Sequence, residues 1–186
     1  MADLHVTFIT GNPQKAEYVS RYLGFDVAHQ KVELDEIQSL DLREIVHHKL
    51  QQAYAEVGAP VLVEDVSLEF DALGRLPGPF IKWFVDEMDM QDIANMVPAN
   101  NRTARARCVF GFYDGEEEQF FEGVLEGSVA TTPAGDGGYG YDKIFIPEGY
   151  SVTRAQMNEA DDKATYLKTK PFEQVHDFLN EYSART

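Results

Sequence analysis

The stretch His5-Val6-Thr7-Phe8-Ile9-Thr10-Gly11-Asn12-Pro13-Gln14-Lys15 decides the fold class. His5 to Thr10 is a short apolar, β-branched run, and Pro13 to Leu23 carries helical spacing that Gly24 stops. A strand handing directly to a helix opens an α/β unit. Further along, Phe25 to Leu34 reads as a second strand. From Asp41 to Val57, residues Leu42, Ile45, Val46, Leu50, Ala53 and Val57 line one helical face, with Gly58 and Pro60 ending it. Val61 to Val63 is a buried strand, Leu73 to Pro79 is dense in glycine and proline, and Phe80 to Met88 has the spacing of a short helix. Ala104 to Tyr113 and Gln119 to Thr131 read as a long antiparallel pair turning at Asp114-Gly115. Tyr141 to Ile146 is a last strand, and Phe172 to Tyr182 a closing helix behind Pro171. No repeat or linker interrupts this order, so a single domain over residues 1–186 is expected.

The chain has 186 residues and 44% hydrophobic content, ordinary for a globular domain. Its formal charge of -16, from 32 acidic residues against 16 basic ones, repels polyanions and argues against DNA or RNA as a partner. Such acidity also suits a protein kept soluble in high salt. No apolar run reaches the ~18 residues of a membrane span and no signal-peptide layout opens the chain, so a cytoplasmic protein is expected. The single cysteine, Cys108, excludes an intrachain disulfide and reads as a buried structural thiol.

Four stretches could carry chemistry. In Thr10-Gly11-Asn12-Pro13-Gln14-Lys15, Asn12 is a favoured N-cap and Pro13 a favoured first helical residue. Lys15 opposes the helix dipole unless an anion sits beside it, and a phosphate could meet the free N–H groups there. A solvated lysine on a capped helix is the plain alternative. Asp41-Leu42-Arg43-Glu44 reads as a capping box, which competes with a metal-ligand role for Glu44. Lys49 and His48 on that helix could equally be solvated. Glu64-Asp65 follows the apolar Val61-Leu62-Val63, placing two carboxylates at a strand's C-terminal end, where open α/β sheets bind ligands and where Mg2+ could be held. A polar turn is the other reading. Gly135 to Asp142 is glycine-rich with two tyrosines that could stack on a base, although it matches no phosphate-loop or dinucleotide fingerprint.

Together, Thr10 to Lys15, Glu64-Asp65-Val66-Ser67-Leu68, the block Ala72-Leu73-Gly74-Arg75-Leu76-Pro77-Gly78-Pro79-Phe80-Ile81-Lys82-Trp83-Phe84 and Gly138-Tyr139-Gly140-Tyr141-Asp142 resemble the inosine triphosphate pyrophosphatase family, from about Val6 to Lys163. The resemblance implies a long central mixed β-sheet with helical lobes on both sides of a nucleotide-binding cleft, a homodimer and Mg2+ as cofactor. By position it implies Thr10, Asn12, Lys15 and Lys49 at the triphosphate, Glu44 and Asp65 on the metal, and Glu64 as an accompanying or alternative ligand. It also implies Tyr139 and Tyr141 around the base, Asp142 as the base-reading carboxylate and Lys163 as a later cleft lysine. The implied reaction is attack of water, prepared by Asp65, on the α-phosphorus, with Lys15 absorbing charge as pyrophosphate leaves. The expected substrates are ITP, dITP and XTP. The rivals are a pyrophosphatase of relaxed or altered base specificity and a nucleotide-binding module without catalysis. Where relatives carry Ser-His-Arg after the cleft lysine, this chain has Leu167-Lys168-Thr169. Lys168 is then the expected donor to a purine O6, with looser discrimination than an arginine fork gives.

Overall fold

A parallel set of strands begins the sheet. In the computed structural model, which describes residues 6–23 and 27–185, β1 (Thr7–Ile9) pairs in parallel with both β2 (Ala28–Gln30) and β3 (Val61–Phe70). The helix stop at Gly24 and the expected strand positions His5, Phe25 and Asp26 lie outside the described residues. Six strands follow the order β2-β1-β3-β5-β6-β7, where β5 is Thr103–Tyr113, β6 is Glu118–Val129 and β7 is Phe145–Pro147; the seventh, β4 (Pro77–Gly78), pairs with β3 off this path. The β4 and β7 pairings are antiparallel, so the α/β fold has the mixed sheet expected. Its helices are α1 (Pro13–Leu23), α2 (Leu42–Val57), α3 (Ile81–Glu87), α4 (Met90–Asn95), α5 (Glu159–Thr169) and α6 (Phe172–Arg185).

Two compact units divide the chain: Met1–Asp65 with Val109–Glu122 and Pro171–Thr186, and Val66–Cys108 with Gly123–Lys170. The first unit follows from strand alternation. Ile9, Val61, Val63 and Val109 meet Leu42, Val46, Leu50 and Ala53 of α2 in one apolar cluster. The alternate residues Phe8, Phe110 and Phe112 meet aromatic rings instead. Phe8 stacks on Phe110 at 6.2 Å, Phe110 reaches Phe172 at 5.5 Å, and Phe112 meets Phe178 edge-on at 4.9 Å. In the second unit Leu68, Phe70, Ala104, Ala106, Leu125 and Val129 pack with Ile81, Ile93 and Val97.

Two expectations are corrected. The strand expected to end at Val63 continues to Phe70, so Glu64 and Asp65 lie inside it rather than at its end. The expected strand Tyr141 to Ile146 is instead a 3-10 turn over Gly140–Lys143 followed by the short β7. The turn lies where expected, at Asp114-Gly115: the β5–β6 connection spans four residues, with Asp114 Oδ1 accepting from the N–H groups of both Glu116 (2.9 Å) and Glu117 (2.7 Å).

Gly111 lies in β5 directly under α2. A Cβ there would overlap Val46 Cγ1 and come within 2.7 Å of Leu50 Cδ1. Gly111→Ala should therefore destabilise the protein by about 1–3 kcal/mol through overpacking. Urea unfolding measures this, and an unchanged midpoint would show that α2 yields freely.

Candidate active site

The turn entering α1 is shaped by its own side chains. The Asn12 N–H donates to Thr10 Oγ1 (3.1 Å), and the Lys15 N–H donates to Asn12 Oδ1 (3.3 Å), so Asn12 is the N-cap expected. Lys15 is no free surface lysine, because its Nζ lies 3.2 Å from Glu64 Oε1, on a side chain only 2% exposed. The carboxylate beside it is the anion that offsets the unfavourable helix dipole.

Glu64 and Asp65 point to opposite faces of β3, and each receives a lysine from a different helix. On α2, Lys49 Nζ donates to Asp65 Oδ2 at 2.6 Å and to Glu36 Oε1 at 3.2 Å. Burial alone would lower the Lys49 pKa, but the charges and hydrogen bonds of Asp65 and Glu36 outweigh it and hold the ammonium above its ordinary value. Lys49 therefore stays charged.

Glu36 was not anticipated, since it lies in an irregular stretch with no local motif, and only its partner on α2 marks it. Glu44 is exposed and accepts from Ser39 Oγ at 2.6 Å. The capping box is relayed rather than direct. Asp41 Oδ1 accepts from the Arg43 N–H (2.9 Å), while the Asp41 N–H donates to Ser39 Oγ (3.0 Å). Among the described residues no three His, Cys, Asp or Glu side chains gather as a metal-binding cluster. Glu36 and Asp65, joined through one ammonium, are an all-oxygen pair of the kind a hard Mg2+ accepts alongside water and phosphate oxygens.

The expected base-side residues belong to the second unit. The glycine-rich loop is pinned to Thr153–Gln156: the Gly137 N–H donates to Ala155 O (3.0 Å), and Thr153 Oγ1 donates to Ala134 O (2.8 Å). Gly138, at φ 73, leaves no room for a Cβ, which would lie 2.6 Å from Asp142 Oδ2. That carboxylate is buried, accepting from the Tyr139 N–H at 2.7 Å and from Arg154 Nη1 at 3.2 Å. Burial pushes the Asp142 carboxyl up, with Arg154 and the Tyr139 N–H pulling against it.

The two tyrosines separate. Tyr139 is 75% exposed, whereas Tyr141 packs on the second core, edge-on to Phe145 at 6.3 Å. Lys163 and Lys168 both lie on the exposed side of α5. Thr169 is buried and its Oγ1 donates to Thr165 O (3.0 Å), so it presents no base donor. Neither Arg154 nor α5 was anticipated. An Asn158 N-cap followed by Glu159, Asp161 and Asp162 was the available signal for the helix.

This fold and site define an α/β protein with lysine-bridged carboxylates at a capped helix start. The Ham1 family model matches residues 6–178, and the chain belongs to that family. It is 33% identical to an inosine triphosphate pyrophosphatase of Scheffersomyces stipitis, covering 94% of this chain and 97% of that protein. It is 35% identical to one of Schizosaccharomyces pombe, covering 94% of each. The Ham1 protein of Staphylococcus aureus has a similar fold, with a TM-score of 0.81 at 21% identity over 95% of this chain and 99% of that one.

Removing a cation from a buried carboxylate is costly, tempered here by the partial exposure of Lys15. Lys15→Met should destabilise the protein by about 1–2 kcal/mol, and adding Glu64→Gln should recover part of that loss. Thermal unfolding of the two variants decides it; an additive loss would show that the pair is not coupled.

Proposed function

We propose that the protein hydrolyses deaminated purine nucleoside triphosphates such as ITP, dITP and XTP to the monophosphate and pyrophosphate, removing them from the nucleotide pool. Full-length similarity to relatives named inosine triphosphate pyrophosphatase supports the activity. The observation that carries it in the structure is Lys49 bridging Glu36 and Asp65 at 3.2 and 2.6 Å.

The chemistry is displacement at the α-phosphorus: water attacks, the bond to the α–β bridging oxygen breaks, and pyrophosphate departs. Asp65, oriented by the Lys49 hydrogen bond, accepts the proton from the attacking water. Lys15, Thr10 and Asn12 at the opening of α1 take phosphate oxygens, and Lys49 adds a fixed positive charge. Mg2+, for which Glu36 and Asp65 are the favoured ligands with Glu64 and Glu44 as further candidates, would neutralise charge on the leaving pyrophosphate. Tyr139 is the favoured stacking surface for the base, with Tyr141, Asp142, Lys163 and Lys168 as the remaining base-side candidates. Among the described residues no helix is long and apolar enough to cross a membrane, and a cytoplasmic location fits the proposed task. A homodimer fits the exposed Leu76 and Trp83, 44% and 59% accessible in the second unit.

Wild-type protein with Mg2+ should release pyrophosphate from ITP and XTP, and Asp65→Asn should abolish it while the protein stays folded. Release at near wild-type rate by that variant would sink the assignment of Asp65, and no release from any triphosphate by wild type would sink the activity. Glu36→Gln should raise the Mg2+ concentration needed for half-maximal rate roughly tenfold, and more than Glu44→Gln does. The opposite ranking would return the metal to Glu44.

A further inference from the structure

Arg154 has no counterpart in the reading of the sequence, yet it is among the most buried charges in the second unit, 8% exposed. Its guanidinium joins Asp142 (Nη1, 3.2 Å) to Asp162 (Nη2, 2.9 Å) and lies 5.7 Å from the centre of the Tyr166 ring. Its Nε is buried without an acceptor. Such an orphaned donor is costly in a folded interior unless something else supplies the acceptor. The Asp162 side chain is 44% exposed, so the guanidinium is held on one side by a partner that water, or a ligand, can reach.

We propose that Arg154, paired with Asp142, is the specificity-determining residue for the base, reading the lactam edge of a 6-oxopurine. An arginine beside a carboxylate offers a donor next to an acceptor. A 6-oxopurine presents the complement, an O6 acceptor next to an N1–H donor, whereas adenine presents the reverse, an amino donor beside a bare N1. The spare donors of Arg154 then meet O6, and Asp142, which still has lone pairs beyond those given to Tyr139 and Arg154, accepts from N1–H. Lys168 and Thr169 need play no part, which accounts for an exposed lysine and an internally bonded threonine where relatives carry a histidine and an arginine. Hypoxanthine, xanthine and guanine share this edge, so Arg154 sorts oxo from amino purines and does not separate ITP from GTP.

The inference rests on the proposed pyrophosphatase activity, and the test keeps the two apart. Steady-state kcat/KM for ITP, GTP and ATP is measured by pyrophosphate release for wild type, Arg154→Met and Arg154→Lys, with thermal unfolding of each. The ITP:ATP ratio should fall at least about 30-fold in Arg154→Met and by a smaller factor, at least about fivefold, in Arg154→Lys, which keeps one donor but not the fork. The ITP:GTP ratio should stay within about threefold, because both bases lose the same contact. A purely structural arginine would lower all three substrates together and leave the ITP:ATP ratio in place, which overturns the proposal. If Arg154→Met does not fold, an unchanged ratio in folded Arg154→Lys overturns it equally. Wild-type inactivity toward every triphosphate would instead overturn the activity itself.

Discussion

Two adjacent carboxylates inside a ten-residue buried strand are the constraint on which the first unit depends. Alternation along β3 sends Glu64 and Asp65 to opposite faces, so no single cation can serve both. Lys15 reaches Glu64 from the first turn of α1, and Lys49 reaches Asp65 from the middle of α2. A buried carboxylate left without compensation costs several kcal/mol, comparable to a large part of a domain's stability. The two lysines are therefore fixed in place by folding, and both cations are positioned before any ligand arrives. This preorganisation is what electrostatic stabilisation of a charged transition state requires.

In the second unit a different economy applies. The 135–142 loop closes through backbone contacts to residues 153–156, and its conformation is locked by Asp142 reaching back to the Tyr139 N–H. Glycine at 138 is required because the Asp142 side chain occupies the place of its Cβ. Tyr141 is drawn inward, where burial and the neighbouring Asp142 charge push its hydroxyl far up, leaving it protonated throughout the physiological range. The exposed Tyr139 is thus held on a rigid support, its backbone tied by the same carboxylate that holds Arg154.

Local pattern made α1, α2 and α6 legible, because each sets an apolar stripe against the sheet. What local pattern missed was decided by partners distant in sequence. The acid pair at 64 and 65 reads as a turn until Lys15 and Lys49 are brought to it, and then β3 runs on to Phe70. Tyr141 to Ile146 has strand-like apolarity, but the positive φ of Gly140 and the Asp142 side-chain bond wind its first half into a 3-10 turn. Helix α5 escaped notice because the residues it buries are Thr165 and Thr169, whose hydroxyls bond to backbone carbonyls of their own helix, so no hydrophobic stripe marks it. Thr10, Asn12, Lys15, Lys49 and Asp65 are candidates that motif and resemblance name, whereas Glu36 and Arg154 become visible only through the ion pairs that hold them.

The charge of the first-unit cluster bears on how it could meet a triphosphate. The ion pairs here join three carboxylates, Glu36, Glu64 and Asp65, to two ammonium groups, Lys15 and Lys49, within a chain of formal charge -16. The cluster is thus net negative where a phosphate chain is proposed to lie. The lysines can turn toward phosphate only by releasing their carboxylates, and a carboxylate released in a partly buried site is itself costly. On the proposed reading, a divalent cation held by Glu36 and Asp65 would offset this excess of negative charge while Lys49 keeps its hydrogen bond to Asp65. The Lys49 bridge to Asp65 favours Glu36 over Glu44, which bonds Ser39 instead.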